Sequence, residues 1–184
     1  FNDLFQFLPI GNLRQRLVNL SSGGIVAAHA DGNSYSFADP DFLPSLIYRN
    51  LDPDEVRGWH ARMSRYLKKA GHSPDAALFH LANTEPSSES YSAAIRLGDR
   101  RLSREGDILL AKKLYSRMLQ SIGESKPKVY ALFSWKLASA FVQEGSYSRA
   151  AEIAGRGLTA LGNTPSCNAL RARLLMIEAQ IATR

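Results

Sequence analysis

The sequence predicts a mainly α-helical protein: an α-solenoid of paired helices preceded by a small mixed module that holds one β-hairpin. Three observations lead there. From residue 41 onward every segment has helical period and is punctuated by Pro or Gly at its limits. A Gly followed five residues later by Ala recurs where helices turn: Gly71 with Ala76, Gly106 with Ala111, and Gly145 with Ala150. Before residue 41 the texture differs, with two short alternating runs on either side of Asp31-Gly32-Asn33, a hairpin signal. The boundary falls at residue 40, giving segments 1–40 and 41–184.

In chain order, Asp3 to Leu8 reads as a short helical piece. The run NLRQRLVNL places Leu13, Leu17 and Leu20 on one helical face and stops at Gly23-Gly24. IVAAHA and SYSFAD then form the predicted hairpin. Helices are expected over 41–50, 53–70, 74–83, 87–104, 107–121, 127–144, 147–161 and 166–183. Pro53, Pro74 and Pro127 stand just inside helix starts, where the missing N–H costs nothing and the fixed φ is already helical. Gly71, Gly106, Gly145 and Gly162 follow helix ends, where a left-handed residue closes the last turn. Connections this short return each helix antiparallel to the one before it. The last helix has no later helix to pair with, so Leu170, Leu174, Leu175 and Ile177 are expected to be partly exposed, as in a chain whose repeats continue. A start at Phe1 likewise reads as a piece of something longer.

The chain has 184 residues, 45% of them hydrophobic, enough for a buried core. A net charge of +6 and a pI near 9.6 admit an anionic partner without choosing one. Cys167 is the only cysteine, which rules out an intrachain disulfide and points to a reducing, cytoplasmic setting. No apolar run approaches the roughly 20 residues of a membrane helix, and the first ten residues do not form a signal peptide, so no membrane contact is expected.

The repeat is more specific than the bulk composition. Successive glycines are 35 (106 − 71) and 39 (145 − 106) residues apart, the range of helix-pair repeats. After each alanine comes a similar face: Leu114, Tyr115 and Leu119 in one case, Ile153, Ala154 and Leu158 in the next. A side chain of one methyl lets the two helices of a hairpin approach closely. The segment SWKLASAFVQEGSYSRAAEIAGRGL, with Gly145 at the turn, Tyr147 two residues on, Ala150, and Ala138 as the small residue of the first helix, resembles the tetratricopeptide repeat (TPR). Arg96 to Leu119 departs from that pattern, with Asp99 where a small residue is usual and Ile108 replacing the aromatic. Residues 53–83 are TPR-like only.

A second resemblance lies in SYSFADPDFLPSLIYRNLDPDEVRGWHARMSRYLKKAG. Phe37, Asp39 and Pro40, then Leu51, Pro53, Arg57 and His60, look like the junction between winged helix and helical repeats in bacterial STAND-type signalling ATPases, including the large LuxR-family transcriptional regulators. Asp39 replaces the commoner His, and one extra residue precedes the Arg. The helix and hairpin before it then look like the second half of the winged-helix domain of those proteins.

No chemistry of catalysis stands out. A Gly-x-x-x-x-Gly-Lys-Ser/Thr loop is lacking, so no nucleotide and no other cofactor is expected, and any ATPase lies outside this chain. His29, His60, His72 and His80 do not have zinc-ligand spacing, and no metal is expected. Ser21 and Ser22 before Gly23-Gly24 do not make a nucleophile elbow, and Cys167 reads as a small residue that fits. The protein is therefore not expected to be an enzyme.

What remains is binding. Arg96, Arg100 and Arg104 recur at i, i+4 and i+8 and share a face. In the repeat register they correspond to Trp135, Ser139 and Gln143, which the TPR resemblance places on the concave groove. An arginine ladder beside a tryptophan can hold a carboxylate-bearing protein segment or peptide through bidentate contacts, with the indole as apolar anchor. The STAND resemblance implies a protein-interaction and sensor region of a signalling protein, in contact with neighbouring domains of its parent chain. The alternative is nucleic-acid binding through Arg14 and Arg16 on what would be the recognition helix, although Asp31 and Asp41 flank it and such helices normally use more contacts.

Overall fold

In the computed structural model the described residues are 13–30, 35–38, 51–71, 73–162 and 165–183. The chain divides into two compact units, Phe1–His72 and Ser73–Arg184. The mainly helical class and the single hairpin are as the sequence predicts. The expected helices at 3–8 and 41–50 and the tip of the hairpin lie outside the described residues.

In the first unit, helix α1 (Leu13–Ser22) ends at Gly23 and Gly24, whose N–H groups reach back to Asn19 O and Ser21 O. Strands β1 (Val26–Ala28) and β2 (Tyr35–Phe37) pair antiparallel, Val26 opposite Phe37 and Ala28 opposite Tyr35. Helix α2 (Pro53–Ala70) begins on a side-chain cap from Asp52 and closes on Gly71 at φ 67°. Its buried positions are His60 and Ser64, so the histidine is a packed residue.

Among the described residues the regular elements of the second unit are all helices, the α-helices being α3 (Pro74–Ala82), α4 (Ser88–Arg100), α5 (Ile108–Ile122), α6 (Pro127–Glu144), α7 (Tyr147–Leu161) and α8 (Asn168–Ala182). Gly106 and Gly145 adopt φ 63° and 82°, the left-handed closures that the sequence predicts. Ala111 and Ala150 are fully buried beyond them, and Ala76 is half-buried. The core forms two apolar clusters. One joins α3 to α6 around Leu97, Tyr115, Phe133 and Leu137; the other joins α6, α7 and α8 around Ala138, Ala150, Ala154 and Leu174. The first helices of successive hairpins touch directly, as the Tyr91 and Phe133 rings lie 6.0 Å apart and Lys126 Nζ sits 5.5 Å from the Tyr91 ring.

The small face of α7 packs closely on its neighbours. A Cβ on Gly157 would lie 2.7 Å from Ser134 Cβ and 3.2 Å from Leu174 Cδ1, so only hydrogen fits between α6, α7 and α8. Ser134 Oγ is buried in this contact without a hydrogen-bond partner.

The segment expected as a helix to residue 104 is α-helical to Arg100 and continues as a π-helical turn, Arg101–Glu105, in which Gly106 N–H donates to Arg101 O. A π-turn accommodates one extra residue. The burial pattern shows the result. Ser90, Tyr91, Ala93, Ala94, Leu97 and Gly98 are buried in α4, and Tyr130, Ala131, Phe133, Ser134, Leu137 and Ala138 in α6, a constant spacing of 40 (138 − 98). The turn glycines remain 39 apart (145 − 106). The residue equivalent to Ala138 is thus Gly98, not Asp99, and the small residue missing from the sequence alignment is present one position earlier. A Cβ on Gly98 would meet the Tyr115 ring at 2.5 Å.

One exposure expectation is corrected. Leu174 and Ile177 of α8 are buried, 0% and 7% exposed, because α8 packs on α6 and α7. Leu170 is half-buried, and Leu175 and Met176 carry the exposed apolar surface, 48% and 69%.

Candidate functional site

Trp135, Ser139 and Gln143 stand one turn apart on α6 and line a depression of about 280 Å³. The facing wall comes from α4 and the π-turn: Asp99, Leu102 and Ser103. Lys136 Nζ crosses from α6 and donates to both Asp99 carboxylate oxygens, at 2.8 and 2.6 Å. Tyr115 on α5 donates its hydroxyl to Asp99 Oδ1 at 2.8 Å. Burial, that hydrogen bond and the carboxylate charge together push the Tyr115 phenol well above its ordinary range. Asp99 is thereby neutralised by Lys136, and the three side chains hold α4, α5 and α6 in one arrangement.

The arginines are placed differently from the ladder that the sequence predicts. Because the π-turn shifts the register, Asp99 occupies the position opposite Lys136. Arg100 turns toward α3 and pairs with Asp75, which Arg101 also approaches at 3.4 Å. Arg96 is exposed on α4 and does not line the depression. Of Arg104 only the backbone, within the π-turn, is described. The cations that do meet Trp135 are Lys136 Nζ and Arg173 Cζ, each 4.5 Å from its ring. Arg173 comes from α8 and was not among the residues that the sequence singles out. The signal that finds it is the stripe Arg173, Ile177, Gln180 at i, i+4, i+7 on the last helix.

Ser139 donates its hydroxyl to the Trp135 carbonyl at 2.8 Å, and Gln143, which also lines the depression, is exposed. Lys112 on α5 pairs with Glu144 at the end of α6, which also accepts from Ser146 Oγ at 3.0 Å. Those bonds hold the Glu144 carboxyl below its usual range. In the first unit Arg16 is exposed on α1; the side chain of Arg14 lies outside the described residues.

The chain matches no protein-family model, no curated protein and no solved structure. Among the described residues no helix is long and apolar enough to cross a membrane, and no group of three or more His, Cys, Asp or Glu is arranged to hold a metal ion.

Proposed function

We propose that this chain is a non-catalytic protein-interaction and sensor region of a multidomain bacterial signalling protein, a cytoplasmic transcriptional regulator whose STAND-type ATPase lies outside it. In this reading the second unit is a TPR-type solenoid, and the first belongs to the winged-helix module that joins solenoid and ATPase. The observation that carries the proposal is the depression between α4 and α6. Its walls are fixed by the Asp99, Lys136 and Tyr115 bonds, while Trp135 and Gln143 remain available to a partner. A surface held in place before binding loses less freedom when a segment docks on it. A segment that favours one arrangement of the solenoid shifts the population of the parent chain toward that state.

The test is selection from a random-peptide library displayed on phage, repeated with Ser139→Arg, which fills the depression. Peptides retained by the native chain and lost by the variant uphold the reading. Retention of labelled mixed-sequence duplex DNA at physiological salt, with no peptide selected, would replace it with nucleic-acid recognition.

A further inference from the structure

The guanidinium of Arg173 rests over Trp135 and, among the described residues, forms no ion pair with a carboxylate. It lines a second depression, of about 690 Å³, together with Trp135, Met176, Ile177, Ala179 and Gln180. Among the described residues no acidic side chain lines this surface, and Met176 is the most exposed large apolar residue, at 69%. A cation without a counter-charge stands beside uncovered apolar area. The complementary occupant carries a carboxylate next to an aliphatic group.

Spacing sharpens the chemistry. Arg173 and Ile177 are four residues apart on α8, about 6 Å along the helix axis. In an extended peptide, side chains two residues apart point the same way and are separated by about 6.6 Å. Resting on the proposal that this region binds protein segments, we infer that α8 and Trp135 form a docking site for an extended segment with the pattern acidic, any residue, aliphatic. The carboxylate takes the N–H groups of Arg173, whose guanidinium carbon lies 4.5 Å from the centre of the indole ring. The aliphatic side chain rests on the exposed Met176 beside Ile177.

Trp135 itself reports on the site. The chain has two tryptophans, so a Trp59→Phe background leaves a single indole. In that background a synthetic Gly-Ser-Glu-Ser-Leu-Ser-Gly peptide shifts Trp135 emission saturably. The matched peptide with Gln for Glu, and one with Glu and Leu adjacent, bind about tenfold or more weakly, the loss of a charge-assisted pair or of its geometry. Arg173→Gln gives the same loss. So does Met176→Glu, an exposed replacement that sets a like charge against the ligand. A saturable response that survives both variants but vanishes with Ser139→Arg overturns this site and leaves the groove reading standing. No response to the acidic peptide overturns the site as well, and the library selection then decides the broader reading separately. Concentration-dependent mass in sedimentation, abolished by Met176→Glu, would make a second copy the occupant and also overturn the inference.

Discussion

Gly98→Ala isolates the tightest contact between the first and second helices of a hairpin. The added Cβ would lie 2.5 Å from Tyr115 Cζ and Oη and 2.6 Å from Cε1. The ring cannot swing away, because Tyr115 is fully buried, tilted against Phe133 at 6.2 Å, and bonded through its hydroxyl to Asp99. Overpacking of this kind costs about 1–3 kcal/mol. Against it, alanine gains about 1 kcal/mol of helix propensity over glycine. Gly155 provides the control: it lies within α7, and nothing stands within 4 Å of an added Cβ. Gly155→Ala therefore stabilises by about 0.5–1 kcal/mol. Propensity cancels between the two variants, so the difference between their stabilities is the overpacking itself. Urea unfolding followed by far-ultraviolet circular dichroism measures both. If Gly98→Ala is as stabilising as Gly155→Ala, the contact with Tyr115 and the register shift it defines are both wrong.

Four further outcomes are expected. Tyr115 is held above the ordinary 10.0, so the unfolded chain ionises first as pH rises; its contribution is complete below pH 10 and lost above it, and tyrosinate absorbance should show one phenol that ionises only as the chain unfolds. Ala150→Leu forces an isobutyl group between α6 and α7 and costs about 1–3 kcal/mol, and an unchanged melting temperature would refute the hairpin register. Ser134→Ala removes a buried hydroxyl that has no partner and should be neutral or stabilising by about 1 kcal/mol in the same urea assay. The depressed Glu144 carboxyl contributes stability above the ordinary 4.5 that is lost as pH falls through its folded value. Lys112→Met should return its titration toward normal, as read from carboxyl chemical shifts.

Helix punctuation was legible from sequence because it is local chemistry. Pro53, Pro127 and Tyr147 begin helices at the expected residues, and Glu144 and Leu161 end them there. The alanines and glycines at hairpin turns were legible for the same reason. The site was legible only in part. Trp135, Ser139 and Gln143 do share a depression, since a straight α-helix keeps i, i+4 and i+8 on one face. Arg96 and Arg100 do not join them, because their match to Trp135 and Ser139 counts back from the turn glycines, 39 apart, whereas the π-turn makes the buried faces of α4 and α6 repeat at 40 (138 − 98). Arg100 then meets Asp75, a partner 25 residues away that no local pattern announces. Arg173 was missed for a related reason: its meeting with Trp135 is tertiary, set by how α8 lies on α6.

The π-turn also bears on changes of chain length, as distinct from changes of residue type. Gly98 stands eight residues before Gly106 (106 − 98), while Ala138 stands seven before Gly145 (145 − 138). Loss of one residue from 101–105 would bring the first interval to the second, so a continuous α-helix would reach the turn with Gly98 still against Tyr115. The same loss inside α4, between Tyr91 and Leu97, would turn the residues on one side of the cut by about 100° against those on the other. Ser90 and Tyr91 would then leave the buried face that Leu97 and Gly98 keep. The turn acts as an expansion joint: it takes up a surplus residue between two rigid pieces, and it is where this hairpin can lose one without disturbing the surfaces that pack.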